Sequence, residues 1–222
     1  VTHFVGTSAA GLLMEKELEY LGRVVTDTAR PFVVVLGGAK VSDKIEVIEN
    51  FLGRVDALLI GGAMAYTFFK AKGLPVGKSL VEDDKLDAAR GVMAKAVEKG
   101  VRLELPVDHV VAERIEAGVA TEVLGVEDAA IDGRMGLDIG PKTAAKYAEI
   151  VAGAKTVVWN GPMGVFETSP FDAGTTAVAK AVAGVKGTTI IGGGDSVSAV
   201  AKAGVTAALR ECGIEPGSPR AL

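Results

Sequence analysis

Four short apolar runs in this chain end directly on glycine, and each glycine turn opens into a helical pattern. The junctions read Leu36-Gly37-Gly38-Ala39-Lys40, Ile60-Gly61-Gly62-Ala63, Trp159-Asn160-Gly161-Pro162-Met163-Gly164 and Ile191-Gly192-Gly193-Gly194-Asp195-Ser196. Runs this short and this rich in valine and isoleucine are how strands buried on both faces read. The strands expected are Phe32 to Leu36, Ala57 to Ile60, Val101 to Leu105, Thr156 to Trp159 and Thr188 to Ile191. Strand, helix and strand repeated in that order make right-handed crossover units on a parallel sheet. Such a sheet places the turns that follow its strands along one edge, where ligands of open sheets bind. Glycine there allows a ligand close to the main chain, and the amides at the following helix starts point at an anion. One Gly-Gly turn is ordinary turn chemistry, but four on one edge point to phosphate.

Helical spacing recurs near Leu12 to Val25, Val41 to Leu52, Met64 to Lys72, Lys85 to Lys99, Pro141 to Val151, Ala173 to Val182 and Val197 to Ala203. Between Val107 and Arg134 neither period is clean, and Gly118, Gly125 and Gly133 break the apolar runs, so this stretch reads as an excursion carrying a small extra hairpin. No repeat or low-complexity linker divides the 222 residues, and one domain is expected. A 49% apolar composition supports a buried core, and the formal charge of -4 argues against a nucleic-acid or anionic-membrane surface. None of the apolar runs reaches the roughly 18 residues of a membrane span. Cys212 is the only cysteine, so no intrachain disulfide forms and a reducing, cytoplasmic setting fits. The chain begins at Val1, which reads as a fragment or processed form.

Two phosphate motifs fail on context. Gly73-Leu74-Pro75-Val76-Gly77-Lys78-Ser79 approaches a P-loop but is one residue short, has Lys72 at the first glycine position and follows a helix, so it reads as a surface loop. Gly192-x-Gly194 lacks the third glycine of a dinucleotide fingerprint, where Val197 stands, which leaves a nicotinamide enzyme poorly supported.

Charged residues cluster beside the glycines instead. Lys40 and Lys44, four apart on a helix beginning near Val41, are suited to a polyphosphate, against the plainer reading that Lys44 pairs with Asp43 or Glu46 in solvent. Asp195 either caps the last helix or holds Mg²⁺ on a phosphate, and Ser196 could take the cap and free it. Glu167 follows Val165-Phe166 and suits ribose hydroxyls, unless it is a solvated loop charge. His3 and His109 have no evident partners for a metal site or nucleophilic relay, and Cys212 reads as a small buried hydrophobe. Without a nucleophile, direct phosphoryl transfer is favoured over covalent catalysis.

These residues fall within longer runs: Ser8-Ala9-Ala10-Gly11-Leu12-Leu13-Met14-Glu15-Lys16-Glu17, Gly37 to Lys44, Ile60 to Ala65, Met135-Gly136-Leu137-Asp138-Ile139-Gly140-Pro141, Trp159 to Glu167 and Gly192 to Ser196. In that order they resemble phosphoglycerate kinase, from about Ser8 to about Gly204, and correspond to its carboxyl-terminal nucleotide-binding domain. The resemblance implies a three-layer, Rossmann-like α/β domain with a mainly parallel six-stranded sheet. It implies an interdomain segment at 1–11, the nucleotide-binding domain at 12–204 and a divergent tail at 205–222.

By the same resemblance Gly38, Ala39, Gly62, Ala63, Gly136 and Leu137 wall an adenosine pocket, completed by Asn160, Pro162 and Glu167, the last on the ribose. Lys40 and Lys44 hold phosphates as the catalytic pair, Lys40 nearest the group in flight. Asp195 is linked to nucleotide-bound Mg²⁺, and Ser196 with the Gly193 and Gly194 amides contacts the phosphates. The implied reaction moves a phosphoryl group reversibly between 1,3-bisphosphoglycerate and ADP in glycolysis, giving 3-phosphoglycerate and ATP.

The chain departs from the family in lacking the amino-terminal domain that binds 3-phosphoglycerate. Gly6-Thr7 replaces a leucine-proline pair, and the tail from Val205 lacks the family's Thr-Gly-Gly-Gly-Ala-Ser turn. The full-length protein is expected to be a monomer, and the isolated chain to be inactive. The alternative is a nucleotide-binding module with no catalysis of its own.

Overall fold

The structure, a computed structural model, describes residues 28–211. The helix expected over Leu12 to Val25, the Ser8 run, Gly6-Thr7, His3 and Cys212 lie outside them. Five parallel strands form the main sheet: β1 (Phe32–Leu36), β2 (Ala57–Ile60), β3 (Arg102–Glu104), β7 (Thr156–Asn160) and β8 (Thr188–Gly192), in the order β3-β2-β1-β7-β8. The intervening strands β4 (Asp108–Ala112), β5 (Glu122–Gly125) and β6 (Met135–Ile139) make a separate antiparallel sheet in the order β5-β4-β6. The fold class therefore holds, with one correction: among the described residues the parallel sheet has five strands, not six. Its edges are β3, only three residues long, and β8.

Every residue of β1 and β2 is buried, as expected of strands covered on both faces. Alternation along β1 divides the core. Phe32, Val34 and Leu36 pack with Leu58 and Ile60 against α1 (Ile45–Phe51), α2 (Met64–Ala71) and α3 (Leu86–Glu98). Val33 and Val35 pack with Leu59, Val157 and Trp159 against α4 (Pro141–Ala152), α5 (Ala173–Ala183) and α6 (Gly194–Lys202). Helices thus lie on both faces of the sheet, giving three layers. A final helix, α7 (Thr206–Glu211), adds the fully buried Leu209 to the second core. Among the described residues no helix is long and apolar enough to cross a membrane.

The excursion after β3 contains the expected hairpin, β4 with β5, and also a third strand that periodicity did not reveal. Met135–Ile139 pairs with β4 across a bulge between Val110 and Val111. Its Gly136 and Asp138 depress strand propensity, and the pairing with β4 overrides it. This small sheet is joined to the main body through Asp108, which is 2% exposed. Pro141 occupies the first turn of α4, where its missing N–H costs nothing. The next two amides, Lys142 and Thr143, donate to the Asp108 carboxylate at 2.9 and 2.8 Å. The Thr143 hydroxyl adds a third bond at 2.6 Å. A strand carboxylate therefore caps a helix that follows it by more than thirty residues, at the end where the helix dipole favours negative charge.

Asp108→Ala leaves the Lys142 and Thr143 amides without an acceptor, while the Thr143 hydroxyl keeps the Asp108 carbonyl. It is expected to destabilise the chain by roughly 2–4 kcal/mol, read from the urea unfolding midpoint, with Asp108→Asn less damaging because one acceptor oxygen remains.

Candidate functional site

The register of the parallel sheet sets the site. Leu36 pairs with both Ile60 and Asn160, and Asn160 pairs with Gly192, so four strands end level. The turns beyond them bond to one another. Gly38 N donates to Pro162 O, Gly62 N to Met163 O and Met64 N to Gly38 O, at 3.0, 3.0 and 3.1 Å. Gly62 shows why these turns need glycine: its φ is +68°, and a Cβ there would press on the backbone of Gly38.

Above this floor opens a cavity of about 470 Å³. Gly38, Ala39, Gly62 and Ala63 form one wall, and Gly136 and Leu137 of β6 face into it from the small sheet. Pro162 lines it as well, and Glu167 and Asp195, both exposed, reach it from the rim. The structure thus brings together nine of the residues singled out in the sequence around one hollow.

The others stand beside it. Lys44 Nζ donates to Asn160 Oδ1 at the end of β7. Burial pushes the Lys44 ammonium below its ordinary pKa, while Asp43 and Asp195 pull the other way. Lys40 is exposed. Neither lysine lies on a helix, because α1 begins at Ile45 and not at Val41. The intervening residues form a turn closed by Lys44 N on Val41 O at 2.9 Å, with Val41 fully buried. Gly193 is the N-cap of α6 with φ +85°, so that helix starts at Gly194 and has no side-chain cap. Asp195 lies in its first turn. Ser196 does not cap the helix either: it is fully buried and its hydroxyl accepts from Gly161 N at 2.7 Å, bracing the β7 turn.

Several site residues escaped the sequence reading. Tyr66, Ser79, His109 and Asp138 all line the cavity. Tyr66 Oη lies 2.9 Å from His109 Nδ1, and the two rings stack at 5.7 Å. Burial lowers the His109 pKa to about 4 and raises that of Tyr66. Both are therefore neutral near pH 7. His109 is not isolated: its Nδ1 pairs with Tyr66, 43 residues away and therefore invisible to local reading, while its buried Nε2 has no partner. The Ser79 hydroxyl accepts from Gly136 N at 2.9 Å, so the loop set aside as a mere surface feature reaches the cavity wall.

Asp138 did carry a signal, a carboxylate inside the apolar run Leu137-Asp138-Ile139. It is 4% exposed and accepts from Gly174 N at 2.7 Å and Ile139 N at 2.9 Å. Burial raises its pKa from 3.8 to about 7 against the pull of those two amides.

Among the described residues no three histidine, cysteine or acidic side chains gather as a metal cage. Asp195, a single exposed carboxylate opposite Lys44, suits a Mg²⁺ that arrives on phosphates and keeps most of its waters, since Mg²⁺ commonly uses one or two carboxylates.

An open parallel sheet with helices on both faces and a glycine-floored, lysine-flanked crevice at its carboxyl edge defines an open-sheet α/β domain with its crevice where such sheets take ligands. Comparison with known proteins narrows the class. The phosphoglycerate kinase family model matches residues 1–210. A phosphoglycerate kinase of Solibacter usitatus is 61% identical over 202 residues, covering 91% of this chain and 50% of that protein. One of Acidobacterium capsulatum is 60% identical over 206 residues, covering 92% and 51%. The solved structure of phosphoglycerate kinase from Coxiella burnetii superposes with a TM-score of 0.86 at 45% identity, over 90% of this chain and 51% of that one. The chain belongs to the phosphoglycerate kinase family and spans about half the length of these relatives.

Asp138 makes stability depend on pH. Its folded pKa is raised, so its contribution is fully present below pH ~4 and is lost as pH rises through about 7. Asp138→Asn removes this dependence. From pH 4 to 7 the variant should gain on the wild type by roughly 2–4 kcal/mol in urea unfolding, at about 1.4 kcal/mol per pKa unit.

Proposed function

We propose that this chain is the nucleotide-binding half of a phosphoglycerate kinase, which transfers a phosphoryl group between 1,3-bisphosphoglycerate and ADP. The observation that carries the reading is the polarity of the crevice. At one end the cavity is walled by Gly62, Gly136, Leu137 and the neutral Tyr66 and His109, suited to a purine face. At the other, Lys44, Asn160 and Asp195 meet beyond level strand ends, suited to phosphates and the Mg²⁺ they carry. Glu167 on the rim is placed for ribose hydroxyls.

In this reading Lys44 is a preset cation. Asn160 fixes its Nζ, so little reorganisation accompanies charge shifting onto a transferring phosphoryl group. Lys40, exposed on the turn before it, is in this reading the cation nearest the group in flight. The Gly193 and Gly194 amides at the start of α6 add dipolar donors for phosphate oxygens. Mg²⁺ bound with the nucleotide neutralises phosphate charge. No side chain serves as nucleophile, so catalysis is positioning and electrostatics, as phosphoryl transfer requires. The acyl-phosphate substrate belongs to the portion of the relatives this chain does not span, and its site is expected there. The protein is assigned to the cytoplasm, and to a monomer when full length, on the family's soluble glycolytic role.

The 222-residue chain should bind Mg·ADP in calorimetry and give negligible ATP from 1,3-bisphosphoglycerate and ADP. Lys44→Ala should weaken Mg·ADP at least ~tenfold, as expected for a lost charged phosphate contact, and leave adenosine nearly unaffected. Absence of Mg·ADP binding to the wild type would refute the nucleotide reading. Rapid turnover by the chain alone would refute the division between halves.

A further inference from the structure

We propose that Glu82 is a positioning residue for the phosphate end of the site, acting through Ser42 from a strap, residues 73–82, that also braces the opposite cavity wall. The proposal rests on the nucleotide reading above.

The turn that carries Lys40 and Lys44 is tied at its start through Gly38 and at its end through the Lys44–Asn160 bond, but its middle has few bonds of its own. Its one internal backbone bond runs from Lys44 N to Val41 O, and α1, which follows, has no side-chain cap at Lys44. The partly buried amides of such a turn need acceptors, and one comes from forty residues downstream. Ser42 N donates to Glu82 Oε2 at 3.0 Å, and Ser42 Oγ to Glu82 Oε1 at 2.5 Å. The Val41 amide lies near enough to favour the charged form of this carboxylate as well. Partial burial alone would raise the Glu82 pKa, but the donors from Ser42 and Val41 outweigh it and hold the carboxyl below its usual range. The carboxylate is therefore ionised at neutral pH, and its charge is taken up by the turn.

Glu82 is itself fixed. Its amide donates to Thr67 Oγ1 at 3.1 Å, and Thr67 is buried on α2, directly beyond the Gly62 turn. Farther back on the strap, Lys78 N donates to Arg134 O at 2.7 Å and Ser79 Oγ accepts from Gly136 N at 2.9 Å. One short connection between α2 and α3 thus holds both ends of the crevice, the β6 wall through Ser79 and the lysine turn through Glu82. Glu82 does not line the cavity. It acts on a ligand only by placing the turn, and hence Lys40 and Lys44.

The distinguishing consequence is a loss that depends on phosphate. In the 222-residue chain, Glu82→Ala should weaken Mg·ADP binding by about tenfold or more while adenosine affinity stays within about twofold, measured by calorimetry. Glu82→Gln keeps one acceptor oxygen and should recover part of the loss. A purely structural role would lower both affinities together, and that result, or no loss at all, overturns the proposal.

Amide hydrogen exchange provides a readout without ligand. Val41, Ser42 and Lys44 should exchange at least ~tenfold faster in Glu82→Ala, with protection in β1 and α2 retained as proof of an intact fold. Unchanged exchange at those three amides also overturns it. Failure of the wild type to bind Mg·ADP would strike the nucleotide reading alone, since the exchange experiment still decides whether Glu82 anchors the turn.

Discussion

The level ending of four parallel strands is the constraint from which the site follows. Because Leu36, Ile60, Asn160 and Gly192 stand in register, the turns beyond them lie side by side and satisfy one another's backbone groups. Gly37 N reaches Asn160 O, Gly38 N reaches Pro162 O and Gly61 N reaches Leu36 O, each at 2.8–3.0 Å. The result is a floor of main chain with almost no side chains, open to a ligand at van der Waals distance. A slip of one residue in any pairing would turn the alternating core residues of that strand to the wrong layer. The two apolar cores therefore defend the register, and the register in turn shapes the crevice.

What could be read in the sequence was what is local. The five parallel strands and most helices follow from periodicity, and the glycine turns announce their own edge. Features decided by distant partners were not legible. Helical spacing after Gly38 begins near Val41, yet Glu82 takes up the Ser42 amide, and the helical run starts only at Ile45. The last long helix begins earlier than its apolar pattern, at Gly194, because Gly193 can adopt φ +85° and cap it without a side chain. Ser196, which looked like a cap or a phosphate ligand, has its hydroxyl on Gly161 N because β7 and β8 are neighbours.

The stretch Gly73 to Ser79 shows the same limit from another side. As a P-loop it fails on spacing and context, and the structure agrees, since it follows α2 and not a strand. Its place against the cavity was unreadable all the same. Gly77, at φ +54°, lets the chain run tightly along the carbonyls of Ile131 and Arg134, and that path delivers Lys78, Ser79 and Leu80 to the cavity. The family resemblance singled out Gly136 and Leu137 as walls without saying what stands behind them. Behind Gly136 is Tyr66, whose hydroxyl occupies the space a β-carbon would need.

Tyr66 and His109 line the cavity as neutral groups while Lys44 is held beside it on Asn160, and the buried polar residues maintain that difference. His109 could have carried a charge, but burial leaves it uncharged and tied to Tyr66 in the cavity lining. Asp138 is balanced more closely. Burial opposes its ionisation, and amides from β6 and from the first turn of α5 favour it. The backbones of Gly164 and Gly174 come so close to this carboxylate that neither position has room for a side chain. Asp138 thereby ties the α5 start and the loop after β7 to the strand that carries Gly136 and Leu137. Among the described residues each wall of the crevice is bonded to another element, through Asp138, Ser79, Glu82 and Ser196.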